Sequence, residues 1–74
     1  MVLKKLSLKR SILISGHATS VSLELEFWEA LKQIALIEKK SVNQIISEID
    51  ETRKGNLSSA IRVYVLGKLQ NSPK

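Results

Sequence analysis

The sequence predicts a mainly α domain with a short β-ribbon at its front, assembled as an intertwined homodimer. Three observations carry that expectation. Val21 and Leu23 alternate with Ser20 and Ser22, and the period changes to that of a helix from about Leu25. Two further amphipathic stretches follow, the first opened by a capping signal at Ser41. The chain has 74 residues and no cysteine, a length at which one core is marginal and no disulfide can staple it. Dimerisation is the remaining way to enlarge the buried core, and an apolar fraction of 43% suits it.

The first eight residues read as a basic N-terminal arm, residues 9–70 as a single domain and residues 71–74 as a C-terminal tail holding the single proline. From about Lys9 to Ser15, Ile12, Leu13 and Ile14 mark a short strand. Ser15, Gly16 and His17 read as a turn, because glycine takes positive φ readily. The second strand runs from about Thr19 to Leu23. It has two edges, so it can pair with the first strand as a hairpin, with a second chain, or with both. Pairing with a second chain gives a two-stranded ribbon whose outer face is small and hydroxyl-bearing, a shape that fits the DNA major groove.

The first helix is expected from about Leu25 to Glu38, with Phe27, Leu31, Ile34 and Ala35 on one stripe and Trp28 beside it. Glu24, Glu26 and Glu29 crowd its start and Lys39 and Lys40 follow its end, in agreement with the helix dipole. No glycine or proline marks that end. The break is inferred from Ser41, followed three residues later by Gln44, which forms a capping box. The second helix places Val42, Ile45, Ile46 and Ile49 on one face and ends near Arg53, Lys54 and Gly55. A third helix begins around Asn56 to Ser59, with Ser58 and Ser59 read as caps. Leu57, Ala60, Ile61, Tyr64, Val65 and Leu69 form its apolar stripe. Val63 and Leu66 widen that stripe, as at a dimer seam.

Twelve basic residues face seven acidic ones, a net charge of +5, which points to a polyanion. The asymmetry matters more than the total, because Lys4, Lys5, Lys9 and Arg10 all precede the first acidic residue, Glu24. No apolar run reaches the roughly 20 residues that span a bilayer. The N-terminus is too interrupted by lysine for a signal peptide. A soluble, cytoplasmic protein is expected.

Strand, helix and a second helix opened by Ser41, Val42 and Asn43 is an order that resembles the ribbon-helix-helix DNA-binding proteins of the Arc and MetJ type. The string from Gly16 to Glu24, with Phe27 and Trp28 and the later run from Gly55 to Arg62, resembles a bacterial subgroup with an extra C-terminal helix. The resemblance implies antiparallel strand pairing across a two-fold axis. It implies base contacts from Ala18, Ser20 and Ser22 and a phosphate grip at the helix start formed by Ser41, Val42 and Asn43. Lys40, Lys9 and Arg10 are further candidates for phosphate. Val21, Leu23, Phe27, Trp28, Leu31, Ile45 and Ile49 are the expected dimer core. The subgroup often has arginine where this chain has Ala18, and serine reaches a short distance and discriminates weakly. Modest base specificity follows, and Lys9 and Arg10 compensate if the first strand lies near the groove.

Other tempting residues have plainer readings. His17 is a turn residue, since no nucleophile or carboxylate is paired with it. Trp28 belongs to an apolar stripe and is core or dimer interface rather than a base-stacking platform. Glu48, Asp50 and Glu51 point to successive sides of a helix and do not converge. One histidine and no cysteine cannot build a zinc site. No enzyme activity, metal or cofactor is expected. The expected function is sequence-specific binding of double-stranded DNA by a small dimeric regulator, a repressor in the simplest case. The competing readings are an antitoxin-like protein whose C-terminal helix meets a protein partner, and an oligomerisation module that has lost DNA contact.

Overall fold

The computed structural model describes residues 7–70. Lys4, Lys5 and most of the expected basic arm lie outside the described residues, as does the 71–74 tail. Five elements follow in order: β1 (Ser7–Ile14), β2 (His17–Glu24), α1 (Leu25–Glu38), α2 (Val42–Thr52) and α3 (Leu57–Gln70). This is the ribbon followed by helices that the sequence predicts, with the additional C-terminal helix.

β1 and β2 pair antiparallel as a hairpin within one chain, in register from Ser7 opposite Glu24 to Ile14 opposite His17. The two-residue connection holds Ser15 at φ 50° and Gly16 at φ 83°. Two successive positive φ angles are the pattern of a type I′ turn, whose twist matches that of the flanking strands. Both strands are longer than the sequence pattern suggested. β1 takes up Ser7 and Leu8 from the stretch read as arm, and β2 starts at His17, which lies exposed at the hairpin tip. The alternation is legible only where one face is apolar, and His17, Ala18 and Thr19 give no such contrast. Of the two pairings open to β2, the structure realises the internal one and leaves its other edge without a strand neighbour among the described residues.

Alternation along the hairpin sorts its side chains. Ile12, Ile14, Val21 and Leu23 are buried on the inner face. They pack with Leu31, Ile34 and Ala35 of α1, Ile45, Ile46 and Ile49 of α2, and Leu57, Ile61 and Val65 of α3. Trp28 is 3% exposed, and its indole Nε1 donates to the Leu8 carbonyl at 3.0 Å, so its polar edge is satisfied where its ring is buried. Of the residues expected at a dimer core, Val21, Leu23, Trp28, Leu31, Ile45 and Ile49 are buried within the single chain and Phe27 is partly buried. The apolar stripe of α3 is narrower than expected, because Leu69 is exposed along with Val63 and Leu66.

The helix ends explain the breaks. α1 stops on Lys39, which takes the left-handed conformation at φ 58°. Lys39 N–H donates to Leu36 O at 3.2 Å and Lys40 N–H to Ala35 O at 3.0 Å, the paired bonds of a Schellman motif. Lysine is an uncommon choice there, which is why composition did not mark this end. α2 opens on Ser41, whose Oγ accepts from Gln44 N–H at 3.0 Å, the serine half of the expected capping box. α3 is capped earlier than expected. Asn56 Oδ1 accepts from Ser59 N–H at 3.2 Å, and Ser58 and Ser59 already belong to the helix. Asparagine just ahead of the first helical residue is placed to satisfy that otherwise free N–H.

Candidate nucleic-acid interface

The register places Lys9 opposite Ser22, Ser11 opposite Ser20 and Leu13 opposite Ala18. Each of these residues alternates with an inner-face one, so the six share the outer face of the hairpin. Ala18 and Ser20 are exposed there and Ser22 is half-buried. Lys9 and Ser11 are exposed beside them, and Leu13 leaves 61% of its surface open. The sequence argument named Ala18, Ser20, Ser22 and Lys9. It missed Ser11 and Leu13, because only the register of the hairpin brings β1 onto this face.

Arg10 alternates with Lys9 and falls on the other face. Its guanidinium carbon lies 5.2 Å from the centre of the Trp28 ring, a cation–π contact. There it borders a cleft of about 430 Å³ with Ser11, Trp28, Lys32, Val42 and Asn43. The cleft joins the hairpin to the start of α2. Asn43 Nδ2 donates to the Leu13 carbonyl at 2.9 Å, which ties the first turn of α2 to the end of β1. Helical geometry leaves the first N–H groups, those of Val42 and Asn43, without intrahelical acceptors. They sit at the positive end of the helix dipole, an arrangement that suits an anion. Ser41, Val42, Asn43 and Arg10 are thereby gathered at one place.

Lys40 is placed differently. Its Nζ lies 3.0 Å from Glu48 Oε1 and 4.0 Å from Glu38 Oε1. Glu38 also binds Lys68 through Oε2. The hydrogen bond from Lys68 holds the Glu38 carboxyl below its ordinary pKa. Glu48 raises the pKa of Lys40, and Glu38 raises that of Lys68. Elsewhere Arg53 pairs with Asp50 at 2.6 Å and Arg62 with Glu24 at 2.9 Å. Among the described residues, Lys9, Arg10, Lys39 and Lys54 have no carboxylate within 4.0 Å. Two of these four are neighbours on β1, beside the outer face and the α2 start.

Among the described residues no three His, Cys, Asp or Glu side chains gather as a metal site would require. No buried side-chain nitrogen or oxygen among them lacks a partner. None of the described helices is long and apolar enough to cross a membrane.

Comparison with known proteins agrees with this geometry. The sequence profile of the family described as "Ribbon-helix-helix domain" matches residues 7–69. No curated protein matches the sequence. Among solved structures, the chain is similar to an uncharacterized protein from Bordetella pertussis Tohama I, at 32% identity and a TM-score of 0.73. The match covers 89% of this chain and 57% of that one, so this chain spans little more than half of its neighbour's length. A hairpin, two helices with the capped start held at the ribbon, and a profile that begins and ends with the described elements make this chain a member of the ribbon-helix-helix domain family, whose members generally bind DNA as transcription regulators.

Proposed function

We propose that this protein is a small, non-enzymatic transcription regulator that binds double-stranded DNA as a homodimer. The observation that carries the reading is the outer face of the hairpin, with Ala18, Ser20 and Ser22 lined up beside Lys9, and the start of α2 fastened next to it by the bond from Asn43 to Leu13. Two copies join along the open edge of β2, giving the strand order β1-β2-β2-β1 across a two-fold axis. Val21 and Leu23 lie on the inner face of β2, whereas Trp28 packs on the β1 side, where it bonds Leu8 and meets Arg10. A strand spacing of about 4.8 Å puts each β1 about 7 Å from the axis, while the major groove is only about 6 Å from centre to wall. Ala18, Ser20 and Ser22 on the central strands then meet base edges, and Lys9 on the flanking strands meets the phosphate wall. Arg10 and the N–H groups of Val42 and Asn43 take a further phosphate beside the Ser41 cap. Lys40 joins them only by giving up Glu48.

Two-fold symmetry calls for a palindromic or tandem target, and repression follows if that target overlaps a promoter. Action on chromosomal DNA puts the protein in the bacterial cytoplasm. The test is a mobility-shift titration on DNA upstream of its own gene, run beside the Ser20→Glu, Ser22→Glu double variant. Equal binding by the two proteins would remove the hairpin face from the reading.

A second reading, an interaction module without DNA contact, is favoured by one observation: the side chains at Ala18, Ser20 and Ser22 are all short. A salt titration with random duplex DNA separates the two. A DNA binder shows log affinity falling steeply against log salt, and an interaction module shows no binding to titrate.

A further inference from the structure

Leu8 and Arg10 are two residues apart on β1, so both point to its inner face. Leu8 packs against the core, while Arg10 reaches solvent. Trp28 meets both. Its indole Nε1 donates to the Leu8 carbonyl at 3.0 Å, and its ring centre lies 5.2 Å from the Arg10 guanidinium carbon. The indole is buried and is bonded to the backbone of the strand that carries Arg10, so ring and strand keep one relative position. Lys32 borders the same cleft, but it pairs with Glu29 at 3.7 Å. Arg10 has no carboxylate within 4.0 Å among the described residues. The ring is what holds it.

We propose that Trp28 is a positioning residue for DNA binding, one that keeps the Arg10 guanidinium beside the start of α2 in the place a backbone phosphate needs it. The inference rests on the DNA reading and assigns a new role within it. A ring attracts the cation through its π face and leaves the guanidinium N–H groups open to a phosphate, whereas a salt bridge would occupy them. An arginine that is free in water loses its rotamer freedom when it binds. Arg10 has given up part of that freedom on folding. The α2 start is fastened to the same strand by the bond from Asn43 to the Leu13 carbonyl, so the cation and the helix N–H groups keep a fixed spacing. Leucine at position 28 would supply apolar volume without the ring. Phenylalanine would supply the ring without the bond to Leu8.

The test is a double-mutant cycle on the full chain, read by fluorescence anisotropy of a dye-labelled random duplex at low salt. Circular dichroism checks each fold. Arg10→Ala is expected to weaken binding by about tenfold. Trp28→Leu is expected to weaken it several-fold, and the double variant to bind no more weakly than Arg10→Ala alone. Trp28→Phe is expected to melt at a lower temperature and yet recover most of the affinity. A tryptophan that only fills the core acts independently of Arg10. Losses that multiply in the double variant, or a folded Trp28→Leu that binds like the wild type, therefore overturn the proposal. If Trp28→Leu fails to fold, the emission of Trp28, the single tryptophan of the chain, decides the matter. Unlabelled duplex is expected to shift that emission in the wild type and to leave it unmoved in Arg10→Ala at saturation. A wild-type emission that stays unmoved, or an equal shift in both proteins, overturns the proposal. No duplex binding by the wild type strikes the DNA reading, and this role with it. Binding with multiplying losses strikes the role of Trp28 alone.

Discussion

At the hairpin end of the molecule Lys9 and Arg10 have no carboxylate partner among the described residues, whereas at the far end of α1 the ammonium groups of Lys40 and Lys68 are held by Glu48 and Glu38. Both regions contribute equally to the basic count of the sequence. They differ in what a polyanion would meet. A phosphate approaching Lys9 displaces only water and counterions, and one approaching Lys40 must compete with two carboxylates already in place. A net charge of +5 therefore understates the contrast between the two ends of the fold.

The strongest way to break this comparison is to invert the sign of the hairpin face. Ser20→Glu with Ser22→Glu is expected to weaken duplex binding by roughly a hundredfold or more, since each lost base-edge contact is worth about 1–3 kcal/mol and repulsion adds to it. Fluorescence anisotropy on one duplex reads the change, and an unaltered circular dichroism spectrum shows that the fold is intact.

Next in size, Lys9→Ala is expected to cost up to about tenfold in affinity and to lower the slope of log affinity against log salt by about one. The paired change Lys40→Ala is expected to leave that slope where it was. Equal slopes in the two variants would erase the distinction between the ends.

Ser41→Ala removes the cap of α2 and is expected to cost about 1 kcal/mol, or a Tm lower by about 4–8 °C in a scanning melt. Gly16→Ala acts on the other side of the same interface. With φ at 83° an alanine is strained there, and a loss of about 1 kcal/mol or more is expected in urea unfolding. Ser15→Asn, which suits the first position of the turn, should partly offset it.

The smallest effect belongs to the far end and is one of pH. The Glu38 carboxyl is held below its ordinary value of 4.5 by Lys68. Its contribution to stability is complete above that value and is lost as the pH falls through the lowered one. Lys40 and Lys68 are raised above 10.5 by their carboxylate partners, so their contribution is complete below 10.5 and is lost as the pH climbs through the raised values. Glu38→Gln should flatten both limbs of a stability–pH profile slightly, because exposed pairs of this kind contribute little.

Much of the fold is visible in the sequence, because local signals decide it. The bounds of α1 follow from its period, and the start of α2 from Ser41 and Gln44. Lys39 is the instructive miss. A left-handed lysine leaves no compositional trace, and only the carbonyls of Leu36 and Ala35 reveal it. Asn56 was overlooked as a cap because two serines follow it. The candidate site is legible in part. Period two puts Ala18, Ser20 and Ser22 together whatever their neighbour is. It cannot say whether that neighbour is β1 or a second chain, since either satisfies the same backbone groups. The separation of Lys9 from Arg10 also waits on the register. Lys40 and Glu48 are eight residues apart on different elements, so their pairing depends on packing that no local pattern encodes.

The Ser15–Gly16 turn bears on how a newborn chain behaves. Its strands are neighbours in sequence, and a hairpin of this kind closes in about 1–10 μs, long before a ribosome adds the next residue. The hairpin's pairing is thus available within each polypeptide, in the order of synthesis. In the proposed dimer, a second copy would then meet a hairpin that is already closed.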